Sequence, residues 1–155
     1  MREILYRGKP KNKEHSYFFS EIWKKHYKKG FVYGSLIVYK DRCFIAVSAQ
    51  YDIKHYVNNG LVSMIEVAPE TIGQYTGLTD KNGIEIFKGD IIYCESRFDN
   101  ANMVVIFECG QFRLVLSEKY RTYQTNMGFY DITCFDKEVI GNIHDNPDFL
   151  KRQYW

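Results

Sequence analysis

The sequence predicts a mostly β protein, a barrel or sandwich of short strands, and three observations carry that expectation. Brief apolar or alternating runs recur along the chain with turn chemistry between them. Aromatic residues are abundant at 17%, a composition that suits pleated, half-buried surfaces. The stretch Val67 to Ile92 also packs four glycines and Pro69 between short extended pieces, so the chain turns often and no long helix fits there.

A chain of 155 residues is about one domain long, with at most a small appendage, and is large enough to bury its own core. Its 45% apolar and 26% charged residues are ordinary for a water-facing protein. No run of apolar residues is long enough to cross a membrane as a helix. The opening Met-Arg-Glu-Ile-Leu-Tyr-Arg lacks the apolar centre and cleavage site of a secretory leader, so a cytoplasmic location is expected. Four cysteines (Cys43, Cys94, Cys109, Cys134) stand far apart with no C-x-x-C pair, which reads as small buried thiols in a reducing compartment.

Element by element, residues 2–7 read as a strand, and Gly8-Lys-Pro-Lys-Asn ends it. From Glu14 to Lys29 the pattern becomes helical, with Phe18/Ile22 and Phe19/Trp23/Tyr27 at i, i+4 spacing and Gly30 placed to close the helix. A short strand followed by one helical turn is the alternative. Phe31 to Tyr39 and Cys43 to Val47 are strands joined by a hairpin at Lys40-Asp41-Arg42. Residues 51–60 form a polar excursion ending in the turn Asn58-Asn59-Gly60, and Leu61 to Val67 is the next strand. Pro69 then interrupts, and Gly73 and Gly77 flank the extended piece Gln74-Tyr75-Thr76. Asp80-Lys81-Asn82-Gly83 is a turn whose glycine supplies the positive φ. Ile84 to Phe87, Ile91 to Cys94, Met103 to Phe107, Phe112 to Leu116, Phe129 to Phe135 and Val139 to Ile143 complete the strands, with Gly110 in a hairpin turn. At Asn146-Pro147-Asp148 an N-cap amide, a proline at the first helical position and an acid start a terminal helical turn.

Three blocks of the chain resemble the YopX protein family. They are the opening Arg2-Glu-Ile-Leu-Tyr-Arg-Gly-Lys, the middle block Pro69 to Gly83 with Ile86-Phe-Lys-Gly-Asp-Ile, and the closing Glu138-Val-Ile-Gly-Asn-Ile-His-Asp-Asn-Pro. The resemblance implies a phage- or prophage-encoded protein of the bacterial cytoplasm whose biochemical role is undetermined. It implies a small N-terminal α+β part, residues 1–66, and a C-terminal SH3-like β-barrel, residues 67–155. The basic aromatic segment at about 14–29 stands apart from the family pattern as an insertion.

The chemistry-bearing residues are sparse. Asp80-x-Asn82-Gly83 opens like a calcium loop, but Ile91 stands where the closing Glu is required, so it reads as a turn. His15, His26, His55 and His144 lack metal-ligand spacing, and the glycines of residues 73–89 are followed by no Gly-Lys-Ser/Thr. No nucleophile is paired with a base, Cys94 and Cys134 included. A non-enzymatic role is therefore expected, without cofactor or metal. The expected mode of action is protein–protein binding with self-association, and Gln74, Tyr75 and Thr76 are the candidate contact residues.

The alternative is nucleic-acid binding. Residues 1–30 hold nine Lys/Arg against three Glu, in a chain of net charge +2. Trp23, Lys24, Lys25, Tyr27, Lys28 and Lys29, with Phe31 beside them, combine phosphate-neutralising charge with rings able to stack on bases. The chain pI of about 8.2 is modest for such a role.

Overall fold

The computed structural model describes residues 4–12, 27–48, 62–95, 101–116, 129–131 and 136–151. These residues are mostly strand, and their only helical elements are two short 3-10 turns, Pro69–Thr71 and Pro147–Leu150. The chain divides into two compact units, Met1–Gln74 and Tyr75–Trp155.

The first unit is built from β1 (Tyr6–Gly8), β2 (Tyr27–Lys28), β3 (Phe31–Tyr39), β4 (Arg42–Ser48) and β5 (Val62–Val67). All pairings are antiparallel, in the order β5-β4-β3-β1, with β2 beside β3. Two-residue turns set the hairpins. Lys29 and Gly30, both at positive φ (50° and 81°), join β2 to β3, which is the backbone twist that tight hairpins favour. Lys40 takes φ 54° in the turn where Tyr39 pairs with Arg42.

The ladder then closes on itself. Pro10 bridges Val67, the Lys11 N–H donates to the Glu66 carbonyl at 3.0 Å, and the Ala68 N–H donates to the Lys9 carbonyl at 2.9 Å. The segment that begins the unit thus also seals it into a roll. Inside lie Val32, Ile45, Val47, Ile65 and Val67, with Leu36, Cys43, Tyr6 and Ile72 packed against them. Burial of each such aliphatic side chain contributes roughly 1.5–3 kcal/mol. Two glycines permit the close approach: a Cβ on Gly34 would lie 2.2 Å from the Ala46 carbonyl oxygen, and one on Gly8 would lie 2.9 Å from Val67 Cβ.

Strand β6 (Gly73–Thr79) contains the unit boundary. Gly73 and Gln74 pair with β1, and Tyr75 and Thr79 pair with β7 (Glu85–Phe87) across a register shift. The second unit continues with β8 (Asp90–Glu95), β9 (Ala101–Glu108), β10 (Gln111–Leu116), β11 (Phe129–Asp131) and β12 (Asp136–Asn142). Five of its strands form an antiparallel sheet in the order β11-β10-β9-β8-β12. Its core is Ile86, Ile92, Cys94, Met103, Val105 and Leu114, with Leu78, Ala101, Phe112 and Val139 against them. The β9–β10 turn is Cys109-Gly110, both residues at positive φ.

Three expectations are corrected here. The helix predicted to run to Lys29 does not, because Tyr27 and Lys28 pair with Val32 and Phe31 as a strand and Gly30 closes a hairpin; positions 14–26 lie outside the described residues. Cys109 is exposed on its turn rather than buried. Asn146 precedes the terminal 3-10 turn without a side-chain cap, since its Oδ1 accepts the Asn142 N–H at 3.3 Å instead. The polar excursion at 51–60, Cys134, His15, His26 and His55 also lie outside the described residues.

Candidate functional site

The middle block of the sequence is structural at most of its polar positions. Thr76 is buried (6% exposed), its hydroxyl donates to the Ile86 carbonyl at 2.9 Å, and its Oγ1 accepts the Leu78 N–H at 3.2 Å. These bonds brace β6 where Gly77 takes φ 86° and the ladder slips register. Tyr75 is half-buried, its ring 5.4 Å from that of Phe87, and Gln74 is half-buried opposite Tyr6 on β1. Of the three candidate contact residues, Thr76 therefore faces inward, and Tyr75 packs against a core ring.

The two aspartates of the same block hold corners. Asp80 Oδ1 accepts the N–H groups of Asn82 at 2.7 Å and Ile84 at 2.9 Å, while Oδ2 accepts that of Val139 at 3.0 Å. Burial alone drives this carboxyl up, but the Val139, Ile84 and Asn82 donors outweigh it and leave it below its ordinary range. Asp90 is 1% exposed and accepts the Phe87 N–H at 2.8 Å. Gly89, at φ 88°, donates to the Val105 carbonyl and accepts from Ile143. The thiol of Cys94 is pushed up to about 11 by burial, partly opposed by the positive charge of Lys137. It is protonated at neutral pH. Among the described residues no cluster of His, Cys, Asp and Glu is arranged to hold a metal ion.

The surface that stands out lies on the first unit and was not singled out by the sequence reading. Side chains alternate across β3, so Val32 and Leu36 point into the roll and Ile37 and Tyr39 point outward. The registers Ile37↔Phe44↔Glu66 and Ser35↔Ala46↔Met64 assemble an outward face from Ile37, Tyr39, Phe44, Ala46 and Met64. Tyr39 is 62% exposed, Met64 57% and Ile37 37%. The signal was present in Phe31 to Tyr39, which carries apolar residues at both parities, as a strand covered on both faces does. Arg42 and Lys11 flank this face, both bonded to Glu66. Those contacts, Arg42 first, hold the Glu66 carboxyl at about 2.

Beyond that apolar half of the face lie Lys28, which is exposed, and Arg7, which is buried (7% exposed). Lys28 pairs with Phe31 and Arg7 with Tyr33. Arg7 Cζ lies 4.6 Å and Lys9 Nζ 5.2 Å from the centre of the Phe31 ring. Phe31 is itself only 1% exposed, so it seats cations and is not available to stack on a base. Tyr27, Lys28 and Lys29 are exposed; Trp23, Lys24 and Lys25 lie outside the described residues.

A two-unit, mostly β protein with aspartate-held corners and an outward apolar face is what these observations define. The sequence profile of the YopX protein family matches residues 5–151, and the chain belongs to that family. It is also similar to the crystal structure of protein EF1440 from Enterococcus faecalis, at 20% identity over 97% of this chain and 100% of that one, with a TM-score of 0.47. No curated protein matches the chain. Among the described residues, no helix is long and apolar enough to cross a membrane.

Proposed function

We propose that the chain is a phage- or prophage-encoded accessory protein of the bacterial cytoplasm that works by binding protein, itself included, and not by catalysis. The observation that carries this reading is the outward face of β3, β4 and β5, where Ile37, Tyr39 and Met64 stand exposed together. Apolar side chains grouped on one sheet face are a common mark of a protein-binding surface, and Arg42, Glu66 and Lys11 give it the polar rim typical of interfaces. The C-terminal unit is read as an SH3-like barrel and the N-terminal part as α+β, in line with the family resemblance. Both would serve as scaffolds for surfaces.

Light scattering coupled to size exclusion, over a broad range of concentration, tests the self-association. The wild-type chain is expected to show mass above the monomer, and Met64→Lys combined with Tyr39→Ser to remain monomeric with an unchanged circular dichroism spectrum. A monomer at every concentration removes self-association from the proposal. Association that the double variant leaves intact moves the surface elsewhere.

A further inference from the structure

The turn between β6 and β7 carries an Asn-Gly pair, Asn82-Gly83, and both residues are exposed to water. A glycine after an asparagine leaves its backbone nitrogen unshielded, because it has no side chain to screen it. The space around Gly83 is open as well, since a Cβ there would meet nothing within 4 Å. An unhindered nitrogen thus stands next to a side-chain amide carbon. In an unstructured chain such a pair loses ammonia unaided.

The fold restrains both partners. The Gly83 N–H donates to the Asp80 carbonyl at 3.0 Å, which keeps the proton on the nitrogen that would attack. The Asn82 N–H donates to Asp80 Oδ1 at 2.7 Å, and the Asn82 side-chain amide donates to the same carboxylate. The Ile84 N–H shares Oδ1 at 2.9 Å, and the Asp80 N–H donates to the Ile84 carbonyl at 2.8 Å. Carboxamide and nitrogen are each fixed on Asp80, so they meet only when the turn opens.

We infer that Asn82 is a self-modification site, a deamidation held back by the turn, and that its product unfastens β12. The Gly83 nitrogen attacks Asn82 Cγ, forming an N–Cγ bond and closing a cyclic imide. The Cγ–Nδ2 bond breaks, and Nδ2 leaves as ammonia with the proton given up by the Gly83 nitrogen. Water then opens the ring at either carbonyl, giving aspartate or isoaspartate at position 82 with no oxidant or reductant. Either product replaces a donor to Asp80 by a second carboxylate beside it, and like charges repel. Isoaspartate also inserts a methylene carbon into the main chain of the hydrogen-bonded turn. Asp80 accepts the Val139 N–H at 3.0 Å, so a change at position 82 reaches strand β12.

The test incubates the full chain at neutral pH, folded and in concentrated urea, and follows position 82 by peptide mapping with mass spectrometry. Mapping separates it from Asn59-Gly60, which lies outside the described residues. Modification of Asn82 is expected in urea, and at least about tenfold more slowly in the folded chain, since opening breaks charge-assisted hydrogen bonds. Asp80→Asn keeps the shape and loses the charge, and is expected to speed the folded reaction at least about threefold with an unchanged circular dichroism spectrum. The wild-type comparison decides alone if that variant does not fold. The modified chain, separated by ion exchange on its added negative charge, is expected to unfold at lower urea than the unmodified chain, as is Asn82→Asp. No reaction at position 82 in urea, equal rates folded and unfolded, no acceleration in a folded Asp80→Asn chain, or a modified chain of undiminished stability each overturns the inference. Tyr39 and Met64 take no part here, so the self-association result stands or falls separately.

Discussion

The carboxylate of Asp80 accepts the backbone N–H of Val139 at 3.0 Å across 59 residues of sequence. One side chain therefore ties the loop after β6 to strand β12. The same loop is bound a second time through the Lys81 N–H on the Lys137 carbonyl at 3.0 Å, and a third time by the ion pair Lys81–Glu138 at 2.7 Å. The ion pair is well exposed and adds little. The carboxylate is buried and holds three N–H groups, so it is the member that matters.

Asp80→Ala is accordingly expected to destabilise the fold by about 3 kcal/mol, since three backbone donors lose an ionised acceptor. Urea denaturation followed by circular dichroism measures it. The pH dependence has a definite sign. Asp80 has a folded value below its ordinary 3.8, so its contribution is present above that pH and is lost as pH falls through the folded value. Asp80→Asn, which cannot titrate, is expected to lose less stability than wild type as pH falls from about 3.8 through the lower folded value. An equal loss in both would show that Asp80 is not the titrating group.

Gly34 and Gly30 separate steric crowding from backbone strain. Gly34→Ala would place a methyl 2.2 Å from the Ala46 carbonyl oxygen, forcing β3 and β4 apart, at an expected cost of about 3 kcal/mol or more. Gly30→Ala meets nothing within 4 Å but sits at φ 81°, where an L-residue costs about 1–2 kcal/mol. Thermal melts of the two variants are expected to rank them in that order.

Glu66 is expected to titrate near 2 in carbon-detected NMR of its carboxyl, against an ordinary 4.5. Arg42→Ala is expected to raise that midpoint the most and Lys11→Ala less. The contribution of the trio is present above 4.5 and fades as pH falls through about 2. A Glu66 midpoint near 4.5 in the wild-type chain would show that the trio does not persist in solution.

Thiol chemistry distinguishes the cysteines. Cys109, exposed on its turn, is expected to react at once with a disulfide reagent. Cys94, buried and pushed up to about 11, is expected to react only when the chain unfolds. Peptide mapping by mass spectrometry after brief labelling separates the two, and early labelling of Cys94 would contradict the packing of β8.

Much of this architecture was legible in the residues because its strands obey period two and its turns are marked by glycine. Phe31 to Tyr39 was read with its observed ends, and Gly110 falls in the tight turn expected of it. The reading failed where local pattern and tertiary pairing disagree. Tyr27 and Lys28 continue a helical spacing, yet the hairpin at Lys29-Gly30 recruits them to β3. The partners of Thr76 were not legible either, since its bonds to Ile86 and Leu78 depend on the register slip beside Gly77. The outward face depends on which strands neighbour β3, so Met64 could not be joined to Ile37 before the pairing was known.

The seal between Pro10 and Val67 has a consequence for how the protein is made. In a nascent chain the Lys9 to Lys11 segment waits until more than fifty further residues have been made, because its partners Glu66 to Ala68 come that much later. Until then the row of backbone groups at Lys9 to Lys11 has no native mate, and it invites pairing with another chain. Removing Tyr6 to Lys11 is therefore a lesion whose effects fall on a strand made much later. The ring cannot be finished from either end alone.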